Sequence, residues 1–595
     1  MTKKRIPQLA IEAMNRGRAA RTSLRLAILA VSIPILGMTP TVAAEDVIQA
    51  APILDIAQSE LDRSLARLKE QPEPVYFMSY EITEAHEVDV ASAFGSLVQS
   101  SDRRERLVDI DLRVGGYDLD SSHEIRGGFD PMAYFDRFTR TQLPLADDES
   151  AIRAKIWYAT DKKYKRAVEK LTKIRTNVQV KVEQEDKSAD FSREEPAVFV
   201  EPLVRLDIDR DAWEAKIRRY TAPFARHGNI YEAQARLDAT AETRWLVSSE
   251  GTRIQTSGTL YRLFISAFTK ADDGMELPRY ESFTAIEPDG LPSDENVLAV
   301  VDGMIADLLA LREAPVVDPY TGPAILHGRA SGVFFHEVFG HRVEGHRQKS
   351  EREGQTFKKK IGQKILPATF SVYFDPTLKS AAGTDLAGFY RYDNEGVKAR
   401  RVTVIDKGVF KSFLMSRTPI DGFPKSNGHG RKEAGFAPVS RQSNLVVDVK
   451  DTVTREQLKK ELLKRVKAED KPFGLIFEDI QGGFTTTGRG SPNAFNVLPI
   501  MVYRVFEDGR EELVRGVDLI GTPLQAFNNV LMADDTIEVF NGVCGAESGG
   551  VPVSASSPSI LVSQIEVQKK QKSQERPPIL PAPQDIPAAE AAAAR

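Results

Sequence analysis

FFHEVFGHRVEGHRQ, residues 334–348, holds three of the chain's eight histidines. It differs by one residue from the HExxH helix of a zinc site. In HExxH the two histidines are four residues apart, about 40° around an α-helix, and both face one ion. Here His336 and His341 are five apart, which on an unbroken helix separates them by about 140°. A π-bulge, with i→i+5 pairing, would return both rings to one face, and Gly340 inside the turn would ease it. Glu337 stands where HExxH enzymes keep their general base. The preceding AILHGRASGVFF is small and apolar and reads as the buried start of a helix that carries polar groups inward, where unpaired charge is costly.

A catalytic zinc takes three protein ligands and keeps an open position. Three residues are candidates for the third: Glu344, His346 and the remote Cys544. Cys544 is the chain's only cysteine and lies in FNGVCGAESGG, between glycines that let backbone approach closely. Zinc ligation would keep a lone thiol deprotonated and buried in an oxidising compartment. A lone cysteine is otherwise a small buried hydrophobe.

The chain has 595 residues, 41% hydrophobic and 28% charged, with a net charge of −5. That is globular composition with length for at least two cores. The charges are interspersed, without a basic stripe or aromatic–basic interleaving, which argues against nucleic acid as a partner. Residues 1–44 read as a Sec-type signal peptide: a basic segment, the apolar LRLAILAVSIPILGM, then TVAA with cleavage expected after Ala44. The alternative is an uncleaved anchor. Cleavage removes seven basic residues and one acidic residue, leaving a net charge of about −11. No later run approaches spanning length, so the expectation is an exported, periplasmic protein with no stable membrane span after cleavage.

The fold class expected is α+β. Residues 45–315 read as an N-terminal α/β domain. Its helices are expected in SELDRSLARLKEQPEP, AIRAKIWYATDKKYKRAVEKLTKIRTNV, DAWEAKIRRYTAPFARH and ENVLAVVDGMIADLLALREAP. Its strands are expected in VYFMSYEIT, RLVDIDLRVG and the meander RWLVSSEGTRIQTSGTLYRLFISAF. Residues 320–567 read as a mainly β domain carrying the candidate metal helix. Its strands are FSVYFDP, ARRVTVIDKGVFKSFLM turning at Asp406-Lys407-Gly408, NLVVDV, FGLIFEDI, LPIMVYRVFEDGREELV, TIEVF and SILVSQIEV, interrupted by the helix TREQLKKELLKRVKA. Residues 568–595 are charged and then Pro/Ala-rich, and a disordered tail is expected.

HEVFGHRVEG, YDNEGVKARRVTVIDKGVFKSFLMSR, SNGHGR…PVSRQSNL and VCGAESGG, in this order, resemble the blocks of the TldD/PmbA family of metallopeptidases. The resemblance spans most of residues 320–565 and implies one Zn²⁺ per chain held by His336, His341 and Cys544, with Glu337 as general base. It also implies a dimer, either a homodimer or a heterodimer with a PmbA-like chain that lacks the metal motif. Where the family has LEGD this chain has VEGH, so His346, with Glu344, is expected behind the ligands or at the surface. GGFTTTGRGSPNAFNV replaces a more usual glycine-rich block, and Arg489 and Asn493 within it are candidates for peptide contacts. The function expected is hydrolysis of short or unfolded peptides by a zinc-bound water activated by Glu337. The alternative is a non-catalytic assembly or peptide-binding protein whose metal is structural or absent.

Overall fold

The computed structural model describes residues 50–125, 140–180, 186–490, 495–570 and 575–583. The expected signal peptide, Asn493 and most of the expected tail lie outside these residues. The chain is α+β, with a mainly β C-terminal part.

The N-terminal half is built on one antiparallel sheet. Its long members are β1 (Val75–Ala93), β2 (Ser96–Val114), β3 (Glu232–Ser248), β4 (Arg253–Lys270) and β5 (Glu276–Ala285). They run in the order β2-β1-β3-β4-β5, with two short strands at residues 141–142 and 198–200 on the margins. Helix α1 (Pro52–Leu68) opens with proline at its first position, where the missing N–H leaves no helical bond unmade. With α2 (Glu149–Val180) it covers Met78, Tyr80 and Ile82 of β1. Helices α3 (Arg210–Thr221) and α4 (Asp294–Glu313) cover the patch formed by Leu237, Leu263 and Phe283.

Among the described residues the C-terminal half forms an eleven-stranded sheet. Strands β6 (Tyr320–Leu326), β10 (Gly474–Thr485), β11 (Phe495–Val505), β13 (Val517–Gly521) and β15 (Gly549–Lys569) pair in a closed cycle, because β15 bonds to both β13 and β6. Strands β7 (Phe370–Phe374), β8 (Val402–Asp406) and β9 (Asn444–Val449) extend it from β15. Strands β12 (Glu511–Val514) and β14 (Val530–Ala546) pair with β11 and β15. The turn after β8 falls at Asp406-Lys407-Gly408, as the sequence predicts. Lys407 and Gly408 have φ of 47° and 78°, the left-handed pair of a two-residue hairpin.

Two elements depart from expectation. AIL of AILHGRASGVFF ends strand β6, and the helix α5 (Gly328–Val338) begins only after His327. TIEVF is the middle of β14 and SILVSQIEV the C-terminal half of β15, and both strands run on beyond these segments to form one long hairpin. Edge strand β5 belongs to both halves: Phe283 packs with the N-terminal helices, while Leu277 and Tyr280 enter the C-terminal core.

Candidate metal centre

Helix α5 is buried along its whole length. Its small residues let it lie directly on β15. A Cβ on Gly328 would meet Ser557 O at 2.6 Å and one on Gly332 would meet Ala555 Cβ at 3.1 Å. Phe334, Phe335 and the following Phe339 pack among Phe357, Phe410, Phe495 and Phe527. Each such ring contributes roughly 1.5–3 kcal/mol on burial. His336 and Glu337 therefore lie on the one stripe of the helix that faces polar surroundings.

The expected π-bulge is not how the spacing is accommodated. The α-helix stops at Val338, Phe339 breaks it at φ −119°, ψ −50°, and Gly340–Val343 continues as a 3₁₀ turn. Arg342 stabilises the break: its Nη1 donates to the terminal carbonyls of Glu337 and Val338 at 2.8 and 3.4 Å and to Thr485 Oγ1 at 2.6 Å, replacing the helical bonds those carbonyls lack. The break brings the His336 and His341 rings to 5.0 Å between centroids, nearly perpendicular. Gly340 is needed for a different reason from the one expected. A Cβ there would lie 1.9 Å from Gln442 Oε1, so glycine admits the Gln442 amide, which sits 3.4 Å from His336 Nε2.

Cys544, near the end of β14, completes the cluster. One donor atom from each of His336, His341 and Cys544 lies within 4.8 Å of the other two, and all three residues are buried. Cys544 Sγ is 3.3 Å from His341 Nε2. Burial alone would push the thiol up, but His341, Arg441 and His336 outweigh it and hold it well below the ordinary thiol range, the thiolate state that ligation requires. Burial likewise opposes charge on His341, yet Cys544 and Glu344 raise it well above the usual imidazole value. His341 Nδ1 faces Glu344 Oε2 at 3.3 Å, which leaves Nε2 for a metal. Burial also raises the Glu337 carboxyl, partly offset by His336 and His341. Its Oε2, though buried, has no hydrogen-bond partner among the described residues. Thiolate with two imidazoles is a donor set for zinc, and the unpartnered carboxylate oxygen beside it suits a metal-bound water. The residues present fit the ion.

Residues 319–569 match the model of the PmbA/TldA metallopeptidase C-terminal domain. Over that part the chain is similar to the TldD/PmbA family. A metalloprotease of Archaeoglobus fulgidus is 30% identical over 238 residues, 40% of this chain and 51% of that protein. A zinc metalloprotease TldD homologue of Saccharolobus solfataricus is 23% identical over 253 residues, 41% of this chain and 51% of that protein. The chain spans about half the length of the first curated relatives it matches. The crystal structure of TldE from Thermococcus kodakarensis shares the fold, with a TM-score of 0.58 at 13% identity over 87% of this chain and 100% of that one.

The other expected site residues fall in different places. Glu344 lies behind the cluster: between His341 and Arg347 Nε (2.8 Å) it is fully buried, with Arg441 Nε at 3.5 Å. Burial opposes its charge, but His341 and Arg347 pull its carboxyl down to about 2. His346 is not among the converging donors; its Nε2 pairs with Glu547, which also accepts from Arg347 Nη2 at 2.9 Å. It thereby ties the turn after α5 to the loop that follows Cys544. Arg489 is exposed and joins two loops, its Nε donating to Glu353 O and its Nη2 to Gln355 Oε1; its guanidinium is engaged within the protein.

Sequence reading singled out neither Arg441 nor Gln442. Arg441 is completely buried and donates to Cys544 O, Ser548 Oγ and Gly549 O. Gly483 was also missed: a Cβ there would come within 2.6 Å of Glu337 Cγ, so this glycine of β10 is the floor on which Glu337 rests.

Proposed function

We propose that this chain is a zinc-dependent peptidase acting on short or unfolded peptides. One observation carries the reading: three buried donors converge next to a buried carboxylate with an unpartnered oxygen. A zinc ion held by His336, His341 and Cys544 would act as a Lewis acid and lower the pKa of its water. Glu337 takes the proton of the attacking water and delivers it to the leaving amine. Gly483 and the Arg342 cap hold that carboxylate in place. Glu344, fixed by Arg347, holds the His341 ring in the orientation that turns Nε2 toward the metal. Beyond Phe477, β10 pairs with β11 on one side, and among the described residues no strand pairs with its other edge. Glu337 lies over Gly483 on the face of that strand, and the open edge suits an extended peptide added as a strand.

The non-catalytic alternative, in its structural-zinc form, needs a closed, four-ligand site. His346, the histidine nearest in sequence, is held by Glu547 instead, which favours an open position. The proposal includes export, on the strength of the basic-then-apolar N-terminal segment, and a dimer, on the family resemblance. Among the described residues no helix is long and apolar enough to cross a membrane.

Chelation followed by metal return tests the reading. Incubated with an unfolded-peptide library, the purified protein is expected to lose cleavage on chelation and regain it with one equivalent of Zn²⁺ per chain. Cleavage indifferent to chelation, or a zinc-loaded protein that cuts nothing, would contradict it.

A further inference from the structure

Four buried charged side chains form a ring at the junction of the two halves. Arg279 Nη2 bonds Glu281 Oε1 at 2.8 Å, and Glu281 Oε2 meets Arg329 Nη1 at 3.3 Å. Arg329 Nη2 meets Asp479 Oδ1 at 3.2 Å, and Asp479 Oδ2 accepts from Arg279 Nη1 at 2.9 Å. Every member is at most 7% exposed. Each carboxylate bridges both arginines, so the signs alternate around a closed, neutral circuit. Asp307 of α4 joins from the rim, bonding Arg279 Nε at 2.9 Å.

Stability alone does not account for such a ring, since buried ion networks are often replaceable by apolar side chains without loss. Its distinctive property is register, because no member can slide without stranding a charge in a dry site. The members come from three elements. Arg279 and Glu281 are on β5, the edge strand of the N-terminal sheet. Arg329 is in the first turn of α5, and Asp479 is on β10.

Those last two elements are the supports of Glu337. Along α5, Glu337 lies eight residues beyond Arg329, about 12 Å at the helical rise. Along β10, Gly483 lies four residues beyond Asp479, at most about 13 Å of strand. Helix and strand therefore run side by side from the ring at one end to the Glu337–Gly483 contact at the other. The Arg329 backbone N–H is fixed as well, donating to Glu538 Oε2 at 3.1 Å.

We propose that this ring sets the register of α5 on β10, so that the N-terminal half, through Arg279 and Glu281, positions Glu337 and the metal-binding histidines. Arg329 is then a positioning residue, about two helical turns from the chemistry. The proposal rests on the peptidase reading for its kinetic consequences but not for its metal-site consequences.

The test is a charge-neutral double variant, Arg329→Met with Glu281→Gln, which leaves the Arg279–Asp479 pair intact. It is compared with wild type by the visible spectrum and affinity of the Co²⁺-loaded protein, and by kcat and KM of the zinc form. The expected result is a folded protein with an altered cobalt d–d spectrum. Co²⁺ affinity should fall about tenfold and kcat about a hundredfold, with KM changed less than about twofold, as small misplacements of a reacting group produce. Arg329→Lys keeps the charge but not the fork that reaches both carboxylates, and it carries the same test if the double variant does not fold. A folded variant with wild-type cobalt spectrum, affinity and kcat would overturn the proposal. If the wild-type zinc protein cleaves no peptide, the peptidase reading fails, while the cobalt comparison still decides the ring.

Discussion

Glu337→Gln protein is expected to bind as much zinc as wild type and to cleave peptides about 10²- to 10⁴-fold more slowly in kcat. Glutamine preserves the shape that rests on Gly483, so the 2.6 Å limit set by Glu337 Cγ is respected and α5 has no reason to shift. What is lost is the ability to take a proton. The carboxylate is not among the three converging donors, so metal content measured by mass spectrometry should stay at one per chain. Among the described residues its Oε2 has no hydrogen-bond partner, so the substitution strands no partner atom there. A Glu337→Gln protein that keeps its kcat would remove glutamate from the mechanism. One that loses its metal would instead make Glu337 a ligand.

Cys544→Ala should lose both metal and activity. The thiolate is one of only three protein donors that converge among the described residues, and two imidazoles alone make a weak site. Replacing an outer partner of a ligand typically costs 10- to 100-fold in affinity, so loss of a ligand itself should weaken binding by about a hundredfold or more. At zinc levels saturating both proteins a hundredfold loss removes about 2.7 kcal/mol of metal-linked stability, read as a lower melting temperature that responds less to added zinc. Without zinc the substitution should be milder. The side chain is small, packs with Val551 and Val553, and loses mainly its polar contact to His341. Full zinc occupancy in Cys544→Ala would refute the ligand set.

Much of this was legible in the sequence because local pattern and packing agreed. The hairpin at Asp406-Lys407-Gly408 carries its own turn chemistry, and HEVFGH announces metal chemistry by composition. The geometry that reconciles the five-residue spacing was not legible. A π-bulge and an α-to-3₁₀ break both return the second histidine to the first, and the choice is made by Arg342 reaching back to the Glu337 and Val338 carbonyls and across to Thr485. Thr485 is 143 residues away in the chain, and no local pattern reports it. Gly340 misled for a related reason. Its requirement is space for Gln442, a long-range contact, rather than backbone freedom.

Arg441 shows the other limit. SRQSN, residues 440–444, is polar throughout, yet all five side chains are fully buried between the His336–His341 turn and the Cys544 hairpin. The one available signal was chemical: a buried thiolate and a buried Glu344 together require a buried cation, which His341 and Arg347 only partly supply. The charge ring was hidden similarly. Arg329 lies in a run that looks small and apolar, and its partners come from strands some fifty residues before it and 150 after it.

Extended X-ray absorption at the zinc edge of the wild-type protein tests the central claim most directly. The account predicts a single sulfur scatterer at about 2.3 Å with two histidine nitrogens at about 2.0–2.1 Å and one further light ligand. A spectrum without sulfur, or one that requires a third histidine, would contradict it.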